Sequence, residues 1–172
     1  MSAIYDKRHW FILEGFGFLG LGVLALILCG LLVDSEQMLY SLVLLLSGGL
    51  LMGRNVLTRQ VPGTFFSFLG GCAFVVGGII GLTWNSFSPS CMMWFLVTFF
   101  WIFAGCQCLT SLMRLNTQNW GLLFVTSIII AIIGLILLVQ PINAETWGTS
   151  ILFGIGLIIY GGEQVVTALT AS

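Results

Sequence analysis

The chain alternates long apolar runs with short polar turns, and that alternation leaves few folds open to it. The last instance is the clearest. An apolar run starting at Trp120 ends at Gln140-Pro141, a polar turn covers 143–145, and a second apolar run continues to Thr170. A bilayer core needs about 20 apolar residues in a helix to cross it. Backbone groups in lipid find no water to bond, so a spanning run of this length must close its own hydrogen bonds as a helix. The pair reads as a transmembrane helical hairpin, and two similar pairs precede it. The earlier spans are expected at 10–33, 38–57, 64–84 and 91–113, with Pro62 suited to start the third. No loop is long enough for a separate unit, so residues 1–172 read as one all-α polytopic domain of six transmembrane helices.

Composition agrees. The chain is 59% hydrophobic and 6% charged, whereas a soluble domain carries about 25% charged residues. The formal charge is −1 and the basic residues stand singly, so nothing points to nucleic acid. The first run is too long for a signal peptide, contains Glu14, and is followed by no small-residue cleavage site before Asp34. It reads as a retained helix. Four of the five cysteines (Cys29, Cys72, Cys91, Cys106, Cys108) lie inside expected spans, where Cys packs as a small apolar residue. Only Cys91 is expected near a water interface, and no disulfide is expected. Cys106 and Cys108 fall on different sides of a helix and cannot share a metal.

Counting exposes a repeat. Trp10, Phe65 and Trp120 open the odd spans at intervals of 55 residues, and Gly49, Gly105 and Gly161 lie late in the even spans at intervals of 56. The units are about 10–61, 62–116 and 117–172. Each enters the membrane from the same side, so the three hairpins are parallel and imply a pseudo-threefold axis along the membrane normal. Inverted repeats would suit an alternating-access transporter better. Small residues recur along the spans: Gly15, Gly22 and Cys29; Gly63, Gly70 and Gly77; Thr98 and Gly105; Ser127 and Gly134; Gly154 and Gly161. Gly49/Gly53 and Gly77/Gly81 form small-x-x-x-small pairs. Such stripes let helix backbones approach closely in lipid. They serve as glue within the bundle, or as a face for a second copy or another membrane protein.

Orientation follows from charge. Lys7, Arg8, Arg54, Arg59 and Arg114 fall on one side, while Asp34, Glu36 and Glu145 fall on the other. The positive-inside rule places both termini in the cytoplasm. Trp10 and Trp120 then mark the inner interface and Trp84, Trp94 and Trp147 the outer one, as an aromatic belt. Trp101 is mid-span and is expected to pack on a neighbour or face lipid.

No nucleophile-elbow, zinc-protease or phosphate-loop motif is present, and no cofactor or metal is expected. His9, beside Lys7 and Arg8, reads as a solvated flanking residue. The informative residues are Glu14 and Glu163, because a carboxylate inside an apolar span is costly. Glu163 shares a helical face with Gly156 and Thr149 and is expected to point into the bundle. Arg54 and Arg114 lie at similar depth, and Gln107 is a further polar group in the fourth span. Glu14 and Glu163 can fix the bundle by pairing with Arg54 or Arg114. They can also act as a proton site, taking up protons as the cytoplasm acidifies. No polar residues continue from them across mid-membrane, as a proton relay would require.

Three hairpins, a Trp opening the first helix of a unit and a Pro closing it resemble the HdeD family of bacterial inner-membrane acid-resistance proteins. The likeness is most specific at Asn119-Trp120, Gly134, Gln140-Pro141, Gly154, residues 155–161 and Ser111-Leu112-Met113-Arg114. The first unit departs from it with Asp34 where the Pro would fall, and the second with Trp84-Asn85 there and Pro89 displaced. The resemblance implies a non-enzymatic inner-membrane protein acting in acid or envelope stress, with no catalytic residues. A small-solute or proton transporter or channel, and an assembly subunit for another membrane protein, are the competing readings. The topology is directly testable. A reporter that functions only in the cytoplasm should be active fused after Ser172 and inactive inserted in the turn at Asp34; the opposite pattern would reject the orientation.

Overall fold

The computed structural model describes residues 7–29, 36–59, 63–83, 89–113, 115, 120–139 and 146–170. Arg114, Asp34, Glu145 and Pro62 lie outside the described residues, as do the side chains of Glu36, Cys29, Cys91 and Trp147. Six helices account for nearly all of it: α1 (Arg8–Cys29), α2 (Glu36–Leu57), α3 (Thr64–Thr83), α4 (Pro89–Met113), α5 (Trp120–Val139) and α6 (Thr146–Thr170). Each is long and apolar enough to cross a membrane. The helix ends follow ordinary rules. Pro89 opens α4, where its missing N–H costs nothing. At α3 the cap is Gly63, whose carbonyl accepts the N–H groups of Phe66 and Ser67. Its φ of +82° favours glycine, and a Cβ there would stand 2.8 Å from Thr110 Cγ2.

The helices form a closed ring in which every neighbour in sequence also touches in space, and α6 returns to α1. The closest pairs do not lie within the hairpins, however. They are α2 with α3, α4 with α5, and α6 with α1, each joining one repeat to the next. The cause is where the small residues sit. A Cβ on Gly15 would stand 2.8 Å from the Gly161 carbonyl oxygen, and one on Gly22 2.8 Å from that of Gly154. The same close approach joins α2 to α3: a Cβ on Gly48 would lie 2.7 Å from the Gly71 carbonyl oxygen, and one on Gly78 2.7 Å from that of Ser41. Between α4 and α5 only Gly134 plays this part, lying under Phe100 and Trp101. Trp101 therefore does both things expected of it, packing on a neighbour while staying half exposed.

The odd and even helices occupy different layers. Only 33–39% of the spanning window of α1, α3 and α5 is buried, against 56% in α2, α4 and α6. The outer helices are also the more apolar, as hydrocarbon contact requires. The inner three meet on the axis through aromatic rings. Phe153 lies 5.6 Å from Tyr40 and 5.9 Å from Phe100, and Phe103 lies 4.8 Å from Tyr160, all edge-on. The centre of the bundle is filled rather than open.

Burial gives the repeat its register. In the outer helices Phe18, Phe74 and Ile130 are buried at intervals of 56 residues, as are Ala25, Gly81 and Leu137. In the inner helices the step from α4 to α6 is 57: Tyr40, Leu96 and Phe153, then Ser47, Phe103 and Tyr160. Gly49, Gly105 and Gly161 therefore do not occupy equivalent places. One extra residue turns a helix by about 100°, so Gly49 and Gly105 face open space while Gly161 packs against α1. The α2 counterpart of Gly161 is Gly48. This distinction predicts opposite outcomes for one kind of substitution. Gly161→Ala should destabilise the detergent-solubilised protein by about 1–3 kcal/mol through overpacking, and Gly49→Ala should stay within about 0.5 kcal/mol of wild type. Denaturant titration followed by helicity checks this, and equal effects would refute the register.

Candidate functional site

Ring closure brings together polar groups from α1, α2 and α6 at the basic end of the bundle. On α1, Glu14 lies in the inward stripe with Phe11, Phe18 and Ala25, all buried. On α6, Tyr160, Glu163, Gln164 and Thr167 are spaced to share one face, and all are buried. On α2, Arg54 and Asn55 lie near the C-terminal end, where a cation suits the helix dipole.

Arg54 is the hub. Its Nη1 lies 2.6 Å from Glu14 Oε2 and also donates to Gln164 Oε1 at 3.0 Å. Its Nη2 donates to Asn55 Oδ1 at 3.4 Å. The guanidinium stacks over Phe11, 4.9 Å from the ring centroid, in cation–π geometry. Gln164 passes the contact on, because its Nε2 donates to Glu163 Oε1 at 3.1 Å. Tyr160 closes the other flank by donating its hydroxyl to Glu14 Oε1 at 3.0 Å. Its ring is wedged edge-on between Phe18 and Phe103 at 4.7 and 4.8 Å. The planar, multi-donor fork of arginine makes such a hub possible; a lysine ammonium could not hold partners on two other helices and stack on a ring at once.

The cluster is sealed. Glu14, Arg54 and Glu163 are 1%, 5% and 4% exposed. Among the described residues, two carboxylates and one guanidinium thus lie together with little water to screen them. A groove of about 580 Å³ between α1 and α2 has Glu14 and Arg54 in its wall among Leu13, Leu46 and Leu50. The groove is otherwise apolar, so it offers hydrocarbon rather than a water-filled path to the ion pair.

Of the residues singled out from sequence, Glu14, Glu163 and Arg54 come together, while Arg114 lies outside the described residues. Gln107 is buried at the α4 position equivalent to Gln164. Sequence reading missed Gln164, Asn55 and the role of Tyr160. The signal was the spacing of Tyr160, Glu163, Gln164 and Thr167 on one helical face. The three repeats do not share the chemistry. Where α1 has Glu14 the equivalent residues are Gly70 and Thr126, and where α2 has Arg54 they are Thr110 and Thr167.

Among the described residues no three His, Cys, Asp or Glu side chains stand close enough to hold a metal ion, and Cys72, Cys106 and Cys108 are free thiols. Comparison with known proteins gives no match, whether to a family model, a curated protein or a solved structure.

Coupling within the cluster can be measured by a double-mutant cycle. Arg54→Met leaves a buried carboxylate without its main partner and should cost about 3–5 kcal/mol. Combining it with Glu14→Gln should cost clearly less than the sum of the two single changes. Additive losses would show that the pair does not act as one unit.

Proposed function

We propose that this chain is a non-enzymatic multi-pass membrane protein of the HdeD kind, acting in acid or general envelope stress. In this reading it resides in a bacterial inner membrane with both termini in the cytoplasm, and the Glu14–Arg54–Glu163 cluster is its proton-responsive element. The observation that carries the reading is a buried polar chain across three helices: Glu14 pairs with Arg54, and neutral Tyr160 and Gln164 link this pair to α6 and to Glu163. A proton placed on Glu14 removes the charge that Arg54 pairs with directly. Arg54 then keeps Gln164, and through it Glu163, so pairing moves from α1 toward α6. Since α1 and α6 close the ring, the seam most exposed to this change is the one that holds the bundle shut.

The basic end carries the cluster, in keeping with a device that responds to cytoplasmic rather than external acidity. The filled axis offers the transporter reading no path along its centre. Glu14→Gln and Glu163→Gln mimic the protonated side chains at constant size. Each should change the survival of acid-challenged cells at unaltered protein level in the membrane. Wild-type survival in both variants would reject the proton-responsive role.

A further inference from the structure

A second polar site lies one turn beyond the buried cluster, where α2 hands over to α3. We propose that it binds the phosphate of an anionic phospholipid. A cavity of about 270 Å³ is lined here by Asn55, Val56, Arg59, Thr64, Phe65 and Phe68. Three features make it a phosphate site. Arg59 is exposed and supplies a cation with a planar donor fork. Asn55 is 2% exposed; its Oδ1 accepts from Arg54 Nη2, which sets the amide orientation, and its Nδ2 donor has no acceptor. The N-terminus of the 20-residue helix α3 also opens onto the cavity, with Gly63 at the cap offering no side-chain acceptor. Thr64 is not a spare donor, because its hydroxyl bonds the Thr58 carbonyl at 3.1 Å.

The rest of the cavity selects among phosphates. Among the described residues no carboxylate lines it, so none of them would pair with the ammonium of a zwitterionic headgroup. Phe65, 69% exposed, lines the cavity with Phe68 and Val56 and offers an apolar wall suited to a lipid's glycerol and first methylenes. A free phosphate has no use for that wall. The site stands apart from the proposed acid response, although Asn55 bonds the same arginine.

Native mass spectrometry of the protein in neutral detergent, titrated with phosphatidylglycerol or phosphatidylcholine, tests the assignment. Wild type should hold phosphatidylglycerol more tightly than phosphatidylcholine. Arg59→Gln and Asn55→Leu should each weaken that retention by about fivefold or more. Arg8→Gln, an exposed cation outside the cavity, should leave it unchanged. Arg59 is solvent-exposed, so its variant remains informative if Asn55→Leu fails to fold. Equal retention of the two lipids, or unaltered retention in Arg59→Gln, would overturn the proposal. So would displacement of the lipid by inorganic phosphate, which would assign the cavity to a free anion.

Discussion

Water does not drive helices together inside a membrane, so this bundle depends on how closely its backbones can approach. Gly15 and Gly22 on α1 meet Gly161 and Gly154 on α6 at distances that a single added methyl group would violate. That seam joins the two ends of the chain and closes the ring. The α2–α3 seam repeats the solution with Gly48, Gly71 and Gly78. The α4–α5 seam replaces most of it with a large aromatic lying over Gly134. One architecture is thus held by three seams of unequal tightness, and the glycine kind serves both α2–α3, which a short loop joins, and α1–α6, which no loop joins.

Ring closure also determines the chemistry. Glu14 has a buried partner only because α6 brings Tyr160 and Gln164 to α1 while α2 brings Arg54. The equivalent positions at the other two junctions are small or neutral, such as Gly70 and Thr126. Among the described residues, the threefold scaffold therefore carries its buried ion pair at one junction. The repeat supplies the frame, and the buried ion pair lies where the frame departs from symmetry. The division into an outer apolar layer and an inner, more buried one follows from the same geometry, since the odd helices leave more of their surface uncovered than the even ones.

Two levels of polar structure lie at the basic end. The deeper one is sealed, with the guanidinium of Arg54 shared among three helices. The shallower one, around Arg59 and the start of α3, opens outward. Asn55 belongs to both through its two amide atoms. Of this arrangement, sequence reading reached Glu14, Glu163 and Arg54, because a charge within an apolar run is conspicuous. It passed over Gln164 and Asn55, because an amide beside a charged residue looks like ordinary helix-end polarity.

The amino-acid order alone determined that six helices form, nearly where each begins and ends, and that the chain repeats three times. Those properties are local: run length, turn residues and hydrophobic spacing decide them without reference to any other helix. It also determined that Glu163 points inward, since helical periodicity is local too. Tertiary structure decided that the tight seams lie between repeats rather than within hairpins. It decided as well that the step from α4 to α6 is 57 residues, where the other steps between repeats are 56. It alone chose the partners of Arg54, one of them 110 residues away, and of Glu14, whose tyrosine donor lies 146 residues away. Such pairings depend on which surfaces fit once all six helices are present, and no spacing along a single helix encodes that.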